Sequence, residues 1–301
     1  MSWGTIPSQG ASSAAQLAEQ VNICWRATHA IDAYCNQVLR ATFATQQVAG
    51  PGRRLSISPT NGLIRVQLDQ WPVLEVIGAS YVLNNSFPRT YTTIPSNNID
   101  LEYLDATVSG SPIIGGNATG PTAMIIGGGV SGYAGGSGYR VQAQYVAGFP
   151  HAGITAAVAE DDLTISVDDV TGYGIATVDT PIGATIPDGA NTEVIEVTGV
   201  TANNGSVGAS AYGPGTLTVP VEGIAFTHTG PVDNIPSCLI TTMPFIIGQA
   251  ALQIAMNFAL LRGSTATTVP RQPGSAQNTG GSNWSIVESA RELLAPFRRV
   301  V

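Results

Sequence analysis

Apolar positions along the chain change period more than once, and each change predicts an element boundary. Leu17, Val21, Cys24, Thr28, Ile31, Cys35, Val38 and Thr42 recur at steps of four and three. Trp25, Tyr34, Leu39 and Phe43 widen that stripe. Ser12 and Ser13 offer N-cap side chains, so the spacing predicts one long helix to about Gln47, with a face wide enough for two neighbours. "VAGPGRR" closes it with Gly50, Pro51 and Gly52. From Arg53 the period shortens to two. "RRLSI", "GLIRVQL", "VLEVIGASYVL" and "YTTI" read as strands separated by "SPTNG" and "NNSFPR". Ser109–Gly138 carries eleven glycines in thirty residues and reads as a flexible loop or a long hairpin tip. It lacks the strand-before, helix-after spacing of a nucleotide-binding loop. "YRVQAQYVAGF" then restores strand alternation.

Beyond Phe149 the runs shorten. "LTISV", "TEVIEVTGV", "GTLTVPV" and "IAFTHT" fit a small sandwich or barrel over 150–234. "SCLITTMPFIIGQAALQIAMNFALLRG" turns helical from about Pro244, with Ile247, Ala251, Ile254, Phe258 and Leu261 on one stripe. A polar linker spans 263–283. The end, 284–301, starts a short helix near Ser285, with Glu288 at the N3 place of a capping box and Pro296 as its break.

Charge sharpens the domain picture. Segment 150–234 holds eleven acids and no Arg or Lys, a net of −11, while the remainder holds twelve arginines and nine acids, a net of +3. The segment is therefore a compositional block, and insertion into a host domain requires its ends to lie close together. Charged residues make up only 11% of the chain, well below the usual quarter, which suits a surface covered by neighbours in an assembly. There is no lysine, which excludes Schiff-base chemistry and a P-loop lysine. No apolar run reaches a membrane span, since Met243–Leu261 is interrupted by Pro244, Gln249, Gln253 and Asn257. "MSWGTIPSQG" has neither the basic nor the apolar region of a secretory signal. The odd set of Cys24, Cys35 and Cys238 reads as small buried apolar residues of an intracellular protein.

Candidate chemistry is sparse. His151 and His228 stand at the two edges of the acidic block and would approach if its ends meet, but no C-x-x-C or H-x-x-x-H accompanies them. "AEDDLTISVDDVTGYG" packs Glu160, Asp161, Asp162, Asp168 and Asp169 around one strand. The two acid groups fall at opposite strand ends, about 17 Å apart, so the expectation is a half-buried strand with acidic turns and the alternative a calcium site. No catalytic residue, cofactor site or metal site is expected. No G-x-S-x-G elbow is present.

Several pieces in order carry a resemblance: the helix with "AIDAYCNQVL", the strand-linked "QLDQWPVLEV", "YRVQAQYVAGF", the apolar helix "IGQAALQIAMNFALLRG" and the closing "ARELLAPFRRVV". With Trp71, Pro72, Val73, Tyr145, Gly148, Pro244, Ala250, Leu294, Pro296, Phe297, Arg298 and Arg299 at its motif positions, the chain resembles the head–tail connector (adaptor) proteins of long-tailed bacteriophages over everything but the acidic block. The block is similar to the small β modules of phage neck, tail and baseplate proteins. The resemblance implies an α+β fold: a helical connector core with a small antiparallel sheet (1–149 and 235–262), an inserted all-β domain (150–234), the linker and a docking tail (284–301). It implies a non-enzymatic virion part, assembled in the host cytoplasm, forming a dodecameric ring under the portal protein. That ring would join the portal to the next neck component, a stopper or tail terminator, and pass genomic DNA without specific binding. Leu293, Leu294, Phe297, Arg298, Arg299 and Val300 would dock on the portal; Ile31, Val38, Ile254 and Phe258 would pack between subunits. The alternative is a secreted β-rich glycan-binding module or adhesin, disfavoured because the block's only aromatics are Tyr173, Tyr212 and Phe226. A hydrolase domain carrying an inserted module is a third possibility.

Overall fold

The structure, a computed structural model, describes residues 13–50, 54–57, 63–83, 87–102, 123–127, 138–203, 205–207, 210–231, 237–261 and 288–298. The chain divides into two units, one made of Met1–Gln37 with Pro244–Val301 and the other of Val38–Met243.

The first unit is helical. It contains α1 (Ser13–Cys35), α2 (Phe245–Leu261) and α3 (Glu288–Leu294), with a 3₁₀ turn at Ala295–Phe297. α2 packs on both α1 and α3. α1 stops well short of Gln47. Asn36 takes φ 56°, and the Gln37 N–H reaches back to the Asp32 carbonyl at 3.2 Å, the 6→1 bond of a Schellman stop. Its buried face is Ile23, Ala27, Ile31 and Cys35, while Cys24, Trp25 and Thr28 are exposed. The expected stripe was thus displaced by one residue over the first turns. α2 buries Ile247, Ala250, Ile254 and Phe258, close to the stripe read from its spacing.

The second unit is β-rich, and the described residues of its first half form eight strands: β1 (Thr42–Ala49), β2 (Leu55–Ile57), β3 (Ile64–Gln67), β4 (Val73–Leu83), β5 (Thr92–Ile94), β6 (Ile99–Glu102), β7 (Ala123–Ile126) and β8 (Tyr139–Ala147). Two antiparallel sheets, ordered β1-β8-β4-β5 and β2-β3-β7-β6, share one core of Val48, Leu55, Ile64, Val73, Met124, Val141, Tyr145 and neighbours. β1 lies where helix was expected. "TFATQQVA" alternates, with Gln46 and Val48 inward and Thr45, Gln47 and Ala49 outward, and its β-branched residues suit a pleated surface. β7 arises inside the glycine-rich segment and pairs with both β3 and β6, so "AMII" is a buried strand rather than part of a loop. The rest of that segment, apart from Gly127 and Gly138, lies outside the described residues, as does the linker.

The second half of this unit contains β9 (His151–Gly153), β10 (Thr164–Val167), β11 (Ile182–Ile186), β12 (Glu193–Val197), β13 (Gly199–Ala202), β14 (Ser206–Val207), β15 (Ser210–Ala211), β16 (Gly215–Thr218) and β17 (Leu239–Thr241). Its sheets, β10-β16-β13 and β12-β11-β17-β9, enclose one core from Ala152 to Ile240. That core includes Cys238 and Ile240, beyond the charge-defined edge at 234. "IAFTHT" forms no strand; its His228 makes one isolated bridge with Val158.

The expected helical connector core with a small sheet is therefore overturned. Among the described residues strand (40%) exceeds helix (24%), and those of 38–149, assigned to that core, form a β-sandwich instead. The physical reason is that period-two burial governs most of the described segment, whereas the three α-helices described lie in the chain's two flanks.

Candidate assembly surface and a buried histidine cluster

The resemblance positions in the β unit converge. The Tyr145 hydroxyl, carried by β8, accepts the Asp69 and Gln70 N–H groups at 3.2 Å each and donates to Gln46 Oε1 at 3.1 Å. Gln46 Nε2 donates to the Gln67 carbonyl at 3.0 Å. Three residues on, the Gly148 N–H donates to the Pro72 carbonyl at 2.8 Å, and Val73 pairs with Ala147. Gly148 has φ 108°, and a Cβ there would sit 2.5 Å from the Arg40 carbonyl oxygen, so no other residue fits. "QLDQWPV" and "Y-x-x-G" are thus two sides of one buried joint.

The predicted partner residues lie elsewhere than expected. Leu294 and Phe297 are buried within the helical unit, where α3 packs on α2 and α1. The Phe297 carbonyl accepts from Gln37 Nε2 at 3.0 Å, the Arg291 carbonyl accepts from the Tyr34 hydroxyl at 3.3 Å, and Arg298 lies 5.3 Å from the Tyr34 ring centroid. Leu293 is half-buried. Residues 288–298 of the tail are therefore packed within their own unit, with Leu294 and Phe297 buried; Arg299 and Val300 lie outside the described residues. Ile31, Ile254 and Phe258, assigned to subunit packing, are likewise buried inside this unit, and only Val38 is exposed.

What remains open is the other face of α2. Phe245 is 79% exposed, Leu252 49% and Met256 57%, at spacings of seven and four on one side of the helix. The helix "FIIGQAALQIAMNFALL" holds no charged residue to solvate that side. Sequence reading found its inward stripe and missed this one, because apolar residues lie on both the inward side and the side of Phe245, Leu252 and Met256, which also carries Gln249.

The acids of "AEDDLTISVDDVTGYG" act on backbone. Asp162 accepts from the Ala159 N–H at 2.7 Å, and Asp168 from the Gly153 N–H at 2.7 Å. Asp169 Oδ1 accepts from the Thr171 N–H, the Thr171 hydroxyl and the Gly213 N–H, while its Oδ2 pairs with Arg40 at 3.0 Å. That ion pair joins the two halves of the β unit. Ala41, Leu74 and Val146 add an apolar seam to it, with Glu75 bonded to Ser210 and Phe43 edge-on to Tyr212.

The histidines separate. His151 meets Thr241 Oγ1 at 3.1 Å, and burial, helped by Arg40, lowers its pKa from 6.5 to about 4. His228 is fully buried in a different place. Its Nδ1 lies 3.0 Å from Asp188 Oδ2 and its Nε2 2.6 Å from Glu193 Oε1. Glu193 is itself buried and accepts from the Ala225 and Phe226 N–H groups at 2.9 and 3.3 Å. Cys238 Sγ completes a cluster in which the ligand atoms of Asp188, His228 and Cys238 lie within 4.8 Å of one another, the one such group among the described residues. Burial raises the Cys238 thiol pKa. Asp188 sits in the turn after β11, Glu193 opens β12, and Cys238 precedes β17. His228 is held by two backbone bonds to Val158. The pairings β11–β12 and β11–β17 bring these positions together. Glu193 was findable: it shares the inward parity of Ile195 and Val197. The other members have no spacing signal.

No family model, no curated protein and no solved structure matches this chain.

Proposed function

We propose that the chain is a non-enzymatic structural part of a phage neck, an adaptor that self-associates into a ring beneath the portal protein and leaves a channel for DNA. The observation that carries the reading is the uncharged α2, whose Phe245, Leu252 and Met256 project into solvent. Apolar side chains exposed along one helix face mark an interaction surface, and a second copy of the same chain offers a repeated, self-consistent cover. The junction of "QLDQWPV" with "YRVQAQYVAGF" supports it, since the resemblance positions serve one joint. The net charge of −8 suits a wall past which phosphates slide without being held.

The test is electron microscopy and light scattering on the purified chain, alone and with portal protein. A ring is expected. The double variant Leu252→Asp, Met256→Asp places charges at exposed positions, so it should keep native circular dichroism and remain monomeric. Ile254→Asp buries an unpaired charge and should unfold the helical unit. A wild-type chain that stays monomeric beside the portal, or a double variant that still forms rings, refutes the reading.

A further inference from the structure

We propose that Asp188, His228 and Cys238 bind a divalent ion of the zinc class, with Glu193 orienting the imidazole. This does not rest on the neck reading. The donor set is one imidazole nitrogen, one sulfur and one carboxylate oxygen, a combination that suits zinc-like ions and not calcium or magnesium, which prefer oxygen alone. A tetrahedral ion with bonds of about 2.0–2.3 Å needs ligand atoms about 3.3–3.8 Å apart. The 3.0 Å between His228 Nδ1 and Asp188 Oδ2 and the 4.8 Å limit of the cluster bracket that range, so the widest edge closes by about 1 Å on binding.

The surroundings fit a metal histidine. Glu193 lies at Nε2, the ring nitrogen that points away from the cluster, and would accept its proton, leaving Nδ1 as the ligand atom. Glu193 is fixed by two backbone N–H donors, and His228 by its two bonds to Val158. Three of the four side chains are nearly closed to solvent; Asp188, with 32% of its side chain exposed, gives an entry route. Binding forms a metal–sulfur bond and releases the Cys238 proton to solvent. It would fasten the turn after β11, the His228 segment and the start of β17 to one point. The competing arrangement is a metal-free His228 hydrogen-bonded to both Asp188 and Glu193.

The experiment uses the full chain, stripped with chelator, then titrated with Zn²⁺ by calorimetry and with Co²⁺ by absorption. One ion per chain is expected, with a thiolate-to-cobalt charge-transfer band. Cys238→Ser should remove that band while circular dichroism is unchanged. Glu193→Gln should weaken Zn²⁺ binding 10–100-fold, as loss of an orienting partner does elsewhere. The wild-type spectrum decides even if a variant fails to fold. Absence of stoichiometric Zn²⁺, or a cobalt spectrum without the thiolate band, overturns the site. A band that survives Cys238→Ser overturns it equally.

Discussion

At the residue scale, burial makes His151 sensitive to pH. His151 is held neutral, with its pKa lowered by desolvation and by Arg40. Because the folded value lies below the unfolded one, its contribution to stability is complete above about pH 6.5 and is lost as pH falls toward 4. The loss is on the order of 3 kcal/mol by pH 4. Denaturant titration at several pH values should show the wild type losing that much more than His151→Gln over this window; parallel curves would contradict it. Little of this was legible in the sequence. A histidine at the edge of an acidic block invites pairing with the acids, yet Asp168 is occupied by the Gly153 N–H and Asp169 by Arg40, far away along the chain. The four positions of the buried cluster are likewise scattered from 188 to 238, and only strand pairing gathers them. Parity could have revealed Glu193, since an acid in step with Ile195 and Val197 faces inward.

At the element scale, the strands most legible were those with unbroken alternation, such as "YRVQAQYVA", and the helix most legible was the long apolar α2. The misreading of 36–47 as helix has a clear cause. Val38, Thr42 and Phe43 continue a four-and-three spacing, while "ATFATQQVA" equally satisfies period two, and pattern alone cannot choose. Asn36 chooses, by adopting the left-handed conformation that ends α1. A β-branched residue cannot hold it cheaply, so Asn36→Val should cost about 1–2 kcal/mol, and Asn36→Gly should be neutral or stabilising. Chemical denaturation followed by far-ultraviolet circular dichroism reads both. Equal stability of the Val and Gly variants would show that this stop does not depend on backbone conformation.

At the scale of the molecule, charge and folding divide the chain at different places. The acidic composition ends near 234, but the core it surrounds runs on to Ile240, because β17 pairs with both β11 and β9. Excising 150–234 would strip β17 of both partners, and such a chain should aggregate. Val38–Met243 expressed alone should instead be soluble and unfold cooperatively in heating scans. An aggregated Val38–Met243, or a soluble excision product, would move the boundary back. The same division sets the order of events at the ribosome. α1 leaves the tunnel long before its partner α2 exists, since about 200 residues of the β unit are made between them. At about 5–20 residues per second, α1 waits roughly 10–40 s with Ile23 and Ile31 uncovered. The stripe proposed for assembly lies on α2, so on that proposal self-association becomes possible only after the β unit has had time to fold.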